Sequence, residues 1–99
     1  MSDQQKIIEH SEEKFFRDGF YKTTMDEVAE EMRMSKKTIY KFFPSKEVLI
    51  TAVARHFMQN MRNKILPALN SDKNAIEKLE DLVSILTAAS LKVTPKRID

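Results

Sequence analysis

Five basic residues lie close together in residues 33–46, a segment without any acidic residue. Residues 1–32 contain nine acidic and four basic residues, and the whole chain has a net charge of only +2. A localised basic patch of this kind is typical of a surface that binds a polyanion. Charge alone leaves open the alternative that the patch is a solvated helix face. The basic residues are Arg33, Lys36, Lys37, Lys41 and Lys46.

Residues that could serve an enzyme, a metal centre or a cofactor site do not form a pattern. The absence of cysteine excludes disulfides and thiolate ligands and agrees with a reducing compartment. His10 and His56, the two histidines, are far apart in sequence and outside any metal-binding spacing. No serine or threonine has a histidine–acid partner to activate it, and no glycine-rich phosphate loop is present. We therefore predict no enzymatic activity, no metal and no cofactor.

The composition predicts an all-α protein. Glycine occurs once and proline three times, and both residues interrupt regular structure. The hydrophobic and charged fractions of 41% and 32% are typical of one small domain with a modest core. No apolar run approaches the roughly 20 residues that cross a bilayer, and the N-terminus lacks the apolar core of a signal peptide. A cytoplasmic, nucleoid-associated protein is expected.

Helical spacing of apolar residues predicts a first helix over residues 4–18, with Gly19 as its C-terminal cap. A second helix begins at Thr24, whose hydroxyl can accept an amide hydrogen bond while Glu27 reaches back to the Thr24 amide. Four glutamates of these two helices are expected to be solvated. They are Glu12, Glu13, Glu30 and Glu31.

The next three helices follow from turn and cap signals. Residues 33–35 allow only a tight turn, after which Ser35 is a suitable N-cap for a short third helix over 36–42. Proline at position 44 ends this helix. A fourth helix is predicted over 46–66, where Pro67 ends or kinks it. A fifth helix restarts after residues 70–72 and extends to about residue 90, with an apolar stripe at Ile76, Leu79, Val83 and Leu86.

Residues 24–43 therefore have the organisation of a helix-turn-helix (HTH). In this motif the second helix enters the major groove, and its N-terminal side chains reach the base edges. Those positions hold Lys36, Lys37 and Thr38. A lysine can donate to guanine O6 and N7, and a threonine methyl group can pack on thymine.

Other residues of this segment are suited to the DNA backbone. Thr24 and Lys46 lie at helix N-termini, where free amides and the helix dipole favour phosphate. Tyr40 and Lys41 lie one turn beyond the base-reading positions and suit contacts with the backbone of a double-stranded DNA operator.

Three segments together resemble the N-terminal domain of the tetracycline-repressor (TetR) family of transcriptional regulators. They are FFRDGF at residues 15–20, TTMDEVA at 23–29 and MSKKTIYKFFPSKEVL at 34–49. The resemblance covers roughly residues 6–55. It implies that Thr24, Tyr40 and Lys46 touch phosphate, and that Ser35 to Thr38 lie over the bases.

The chain departs from the family pattern at several positions. Arg33 occupies the turn position that usually holds glycine, which is strained if the turn requires positive φ. Phe42 occupies a position where the family often has tyrosine or histidine, so a phosphate contact there is not expected. Polar residues replace small or apolar ones in the first helix, which suggests looser packing. They are His10, Ser11 and Lys14.

We divide the chain into a TetR-type HTH DNA-binding domain at residues 1–62 and the start of a truncated helical regulatory and dimerisation domain at 63–99. The chain is a fragment, a truncated product or a small regulator, and no pocket for a small-molecule effector is expected at this length. The expected function is that of a repressor that binds a palindromic DNA operator. A homodimer is one assembly in which the chain could bind such an operator. The alternative is a helical protein-interaction module, or a truncated dominant-negative partner, that does not bind DNA by itself.

Overall fold

The computed structural model describes residues 2–93, which form five α-helices and no strand. The predicted all-α architecture is confirmed: a three-helix HTH domain is followed by a long fourth helix and a fifth helix. The elements are α1 (Asp3–Asp18), α2 (Met25–Met32), α3 (Lys36–Phe42), α4 (Lys46–Leu69) and α5 (Ala75–Val93).

The side-chain caps predicted for α2, α3 and α4 are present. Thr24, Ser35 and Ser45 each accept a hydrogen bond from the backbone N–H three residues later, at 3.1, 3.1 and 3.2 Å. Such a bond satisfies one of the amides that a helix N-terminus leaves unpaired. In α2 the Glu27 carboxylate accepts a bond from the Thr24 hydroxyl, at 3.1 Å. Ser2 caps α1 in the same way, so α1 begins one residue earlier than predicted.

The first two helices end at residues with positive φ. Gly19 has φ +100° and its N–H donates to the Phe15 carbonyl at 2.8 Å. Arg33 is left-handed, with φ 55° and ψ 40°, as expected from its position in the turn. The Met34 N–H donates to the Ala29 carbonyl at 2.9 Å, which completes a Schellman motif. This motif reverses the chain tightly enough for α3 to begin after only three intervening residues.

The end of α4 and the start of α5 differ from the prediction. Pro67 lies inside α4, which continues to Leu69. Proline has no N–H, so Pro67 cannot donate the helical hydrogen bond to the Asn63 carbonyl. Asn63 is exposed, so water can reach this part of the helix. α5 begins later than predicted because Asn74 is its N-cap and accepts from the Glu77 N–H at 2.9 Å.

The core lies among the first four helices. Ile7 and Phe15 of α1, Val28 of α2, Ile39 of α3 and Leu49 of α4 are each at most 1% exposed. Burial of apolar surface of this kind is the main favourable contribution to folding. The helix α3 is held on the domain by one fully buried side chain of its own, that of Ile39. Most of α3 therefore remains at the surface.

The fifth helix packs on α4 and α1 but leaves an apolar stripe in solvent. The stripe residues are between 54% and 71% exposed, as expected for a stripe without a covering element. No helix formed by the described residues is long and apolar enough to cross a membrane. The stripe comprises Ile76, Leu79, Val83 and Leu86.

The first helix is not loosely packed, contrary to the prediction. Ser11 and Lys14 are fully buried or nearly so, and Glu12 is only 3% exposed. The Lys14 ammonium contacts the carboxylates of Glu31 and Asp18. The buried charged groups are tolerated because each is paired with another helix, Lys14 with Glu31 of α2 and Glu12 with His56 of α4. The prediction that Glu12 is solvated is therefore wrong, whereas Glu31 is exposed as predicted and also pairs with Lys14.

Candidate nucleic-acid interface

The two helices of the HTH are held together by small and β-branched side chains. Val28 and Ala29 of α2 and Ile39 of α3 are at most 3% exposed. Ile39 is the buried residue of α3, whereas Lys36 and Lys37 are exposed and Thr38 is half-buried. The helix therefore has an outward face with two ammonium groups at its N-terminal end.

The N-terminal turn of α3 is ordered by hydrogen bonds between its own side chains. The Ser35 and Thr38 hydroxyls are 2.9 Å apart, and Ser35 also accepts from the Thr38 N–H. Both hydroxyls are thus engaged within the helix. Either hydroxyl can be the donor of the bond between them, so one O–H donor is left over, and the Thr38 methyl group is not used by these bonds.

A carboxylate of α2 lies beside the first lysine of α3. The Lys36 Nζ is 2.9 Å from the Asp26 Oδ2, and the two side chains are 64% and 61% exposed. The hydrogen bond that Lys36 donates to Asp26 raises the pKa of Lys36, so this ammonium stays charged over the physiological range. The sequence shows the acidic first turn of α2 but not this pair, because the two residues belong to different helices.

The N-terminus of α4 is tied to the loop between α1 and α2. The Lys46 Nζ donates to the Tyr21 carbonyl at 3.2 Å, and the Lys46 side chain is half-buried. An ammonium group carries three donors, so two remain for a phosphate. The contact also brings Lys46 beside the loop that leads to exposed Thr24, which is the other residue expected at phosphate.

The remaining candidates lie further along α3. Tyr40 is 42% exposed, and Lys41 is exposed with its Nζ 6.0 Å from the centre of the Phe42 ring. A cation at this distance from an aromatic face is weakly attracted to it. Phe42 itself packs partly against the core, which agrees with the expectation that it does not contact phosphate.

Comparison with known proteins gives the family. Residues 7–53 match the family model described as bacterial regulatory proteins, tetR family. The chain carries a TetR-family N-terminal domain. All of the HTH helices and the caps of α2, α3 and α4 fall inside the matched range.

Relatives of this TetR-type domain occur in Bacillus subtilis and Mycobacterium tuberculosis. The chain is 33% identical over 60 residues to the HTH-type transcriptional regulator YuxN of Bacillus subtilis (strain 168), which covers 61% of this chain and 21% of that protein. It is 28% identical over 81 residues to the HTH-type transcriptional regulator Rv0472c of Mycobacterium tuberculosis (strain ATCC 25618 / H37Rv), covering 81% of this chain and 34% of that protein. The chain thus spans about a fifth to a third of these relatives.

A solved structure shares the fold. The ketosteroid transcriptional regulator KstR2 of Mycobacterium tuberculosis superposes with a TM-score of 0.76 at 23% sequence identity. The match covers 89% of this chain and 45% of that chain. It extends past the TetR-type domain into α5, so the packing of α5 on α4 is part of the shared fold.

An ionic cluster within the TetR-type domain joins α1 to α2. Burial lowers the pKa of Lys14, but hydrogen bonds with Glu31 and Asp18 outweigh that effect and raise it overall. Hydrogen bonds from Arg17, the larger effect, and from Lys14 lower the pKa of Asp18 to about 2. The hydrogen bond from Lys14 also lowers the pKa of Glu31. The sequence carried one signal of the cluster, because Lys14 lies seven residues after Ile7 and therefore on the buried face of α1.

Among residues 2–93, no group of three or more acidic or histidine side chains is arranged to hold a metal ion. The surface of the TetR-type domain carries accessible donors on α3, at the start of α4 and at the start of α2. Such a surface is suited to binding an extended anion through many separate contacts.

Proposed function

We propose that this chain binds double-stranded DNA in a sequence-specific manner and regulates transcription, with α3 in the major groove. The observation that carries the proposal is the pair of exposed ammonium groups, on Lys36 and Lys37, at the N-terminal end of an HTH recognition helix. The major groove is about 12 Å wide and admits one α-helix. The regulator names of the relatives support the same function.

The contacts divide into two classes by position. Lys36, Lys37 and Thr38, which follow the N-cap Ser35, are proposed to read base edges. The phosphate contacts are proposed to come from Thr24, Tyr40, Lys41 and Lys46. Phosphate contacts fix the register of the protein on the duplex, whereas base contacts carry the sequence information.

Repression is the proposed sign of regulation, since a protein on an operator blocks access to it. A palindromic operator bound by two copies matches the recognition geometry of HTH proteins, which read half-sites about 34–36 Å apart. The exposed stripe of α5 is available for contact with a second copy or with a following helical domain. We keep the proposed division between a DNA-binding domain at 1–62 and the start of a regulatory domain at 63–99, and the proposed location in the cytoplasm at the nucleoid.

Selection of bound duplexes from a random pool, with native mass measured on the recovered complexes, tests this function. We expect one enriched sequence family and affinity that falls steeply with salt, because each neutralised phosphate releases counterions. A palindromic sequence recovered with two protein copies would support the homodimer. Recovery of the pool without enrichment would overturn sequence-specific binding.

A helical protein-interaction module is the second candidate. It is favoured by the exposed apolar stripe of α5, of which Ile76 is 71% exposed, because such stripes are common at protein interfaces. The absence of any binding to random duplex at low salt would favour this candidate, since even non-specific binding depends on the basic surface alone.

A further inference from the structure

The Asp26–Lys36 pair occupies the part of the HTH that faces DNA in the proposed function. Asp26 is the second residue of α2 and Lys36 the first residue of α3, so the pair lies where both helices of the motif begin. In an HTH the N-terminal side chains of the second helix reach base edges and the first helix crosses the backbone. The carboxylate is therefore close to the path of the phosphates.

Lys36 cannot neutralise a phosphate without a compensating loss. If its ammonium left Asp26, the carboxylate would remain unpaired beside the phosphates, and like charges repel. Both side chains are more than 60% exposed, so the pair contributes little to folding and DNA can separate it. The gain from one released counterion is offset by the exposed carboxylate.

A contact with a base does not carry the same loss. The ammonium group has three donors, of which Asp26 takes one at 2.9 Å. The other two can donate to acceptors such as guanine O6 and N7 while the pair stays intact. The geometry thus permits base recognition by a paired Lys36 and disfavours phosphate binding by an unpaired one.

We infer that Asp26 is a specificity-determining residue, which keeps Lys36 from the phosphate backbone and presents its ammonium to the base edges. The inference rests on the proposed function, in which α3 lies in the major groove. Asp26 acts through Lys36 and is a positioning residue. Its effect is to lower non-specific binding more than binding to the preferred sequence.

The test compares Asp26→Asn with Glu30→Gln, measured by fluorescence anisotropy on the selected duplex and on a random duplex over a series of salt concentrations. Glu30 is an exposed acid one turn further along α2, so the control changes the net charge equally. For Asp26→Asn we expect affinity for random duplex to rise up to about eightfold at 0.1 M salt, with a salt slope steeper by about 0.9. Affinity for the selected duplex should change less than about twofold, since the base contact is retained.

Two further measurements separate the possible outcomes. In a Lys36→Gln background, Asp26→Asn should no longer change the ratio of selected to random affinity, which excludes a general charge effect. Thermal unfolding followed by circular dichroism checks that α2 remains folded, and Asp26→Ser provides a second variant if it does not. Equal changes on both duplexes, or an unchanged slope, would overturn the role of Asp26. A wild-type chain without any sequence preference would overturn the proposed function itself.

Discussion

The His56 Nδ1 lies 2.7 Å from the Glu12 Oε2, so that α4 is hydrogen-bonded to a residue of α1 that is 44 positions earlier in the chain. The two side chains are 19% and 4% exposed. A carboxylate removed from water in this way requires hydrogen-bonding partners. The contact therefore fixes the helix that begins at Lys46 relative to the rest of the domain.

Removal of this contact should destabilise the fold. We expect His56→Ala to lower the free energy of unfolding by about 1–3 kcal/mol, because the buried Glu12 carboxylate loses a hydrogen bond. Urea unfolding measures the change. The matched control is Glu13→Gln on the exposed side of α1, which should change stability by less than about 0.5 kcal/mol. Equal values for the two variants would contradict the structural role of the pair.

Acid should destabilise the protein through the Lys14 cluster. The pKa of Asp18 is lowered to about 2 and that of Glu31 is also lowered, so both carboxylates bind protons less readily when folded. Their contribution is present above the ordinary pKa values of 3.8 and 4.5 and is lost as the pH falls through the lowered values. Lys14→Met should flatten this acid dependence without abolishing it, because Arg17 still bonds Asp18.

The measurement is the thermal midpoint at a series of pH values between about 2 and 7, where these carboxylates titrate. Lys6→Met serves as the control, since Lys6 is exposed on the same helix. If the thermal midpoint of Lys14→Met falls with pH as steeply as that of Lys6→Met, the Lys14 cluster is not the source of the acid dependence.

Replacement of Ser11 by alanine should stabilise the protein. The Ser11 side chain is fully buried, and its Oγ has no hydrogen-bond partner among residues 2–93. Alanine removes this unsatisfied group and is also the better helix former, so we expect a gain of about 1 kcal/mol. The urea midpoint checks the gain. The control is Ser84→Ala at an exposed position of α5, which measures the part of the gain that arises from helix propensity alone. An equal gain in the two variants would argue against a cost of the unsatisfied Ser11 hydroxyl.

Glycine at position 33 should also stabilise the fold. Arg33 has φ 55°, a conformation that costs a residue with a Cβ about 1–2 kcal/mol. Glycine also has greater conformational freedom in the unfolded chain, which costs about 0.4–1 kcal/mol on folding. This cost offsets part of the strain energy that the substitution removes. We expect Arg33→Gly to raise the free energy of unfolding by up to about 1 kcal/mol. Arg33→Ala keeps the Cβ and should show no gain; a gain of equal size in both variants would point to the lost charge instead.

Two lysines should affect DNA binding differently. Lys37→Ala should change which sequences are preferred, with a loss of about 1–3 kcal/mol at one position of the site. Lys46→Ala should weaken binding to all sequences alike and reduce the salt slope by about 1. Lys64→Ala is the control, since Lys64 lies 18 residues after Lys46 on the same helix, about 27 Å along its axis. Uniform weakening by Lys37→Ala would remove the base-reading assignment of that residue.

The sequence alone determined the features that depend on near neighbours. The caps at Thr24, Ser35 and Ser45 and the short α3 follow from interactions within about five residues. The outward position of Lys36 and Lys37 follows in the same way from the single buried face of α3 around Ile39. Local patterns predict such features because the interacting groups are adjacent in the chain.

Only the tertiary structure decided which charged side chains meet. The Asp26–Lys36 pair, the Lys46–Tyr21 bond and the Glu12–His56 bond join residues 10, 25 and 44 positions apart. Their formation depends on how α1, α2, α3 and α4 cross one another, and the packing of a whole core sets those crossings. Glu12 carries the same charge as the exposed Glu13 beside it. Its helical spacing from Ile8 and Phe16 puts it toward the apolar face of α1, but only the packing of α4 supplies the His56 side chain that bonds it.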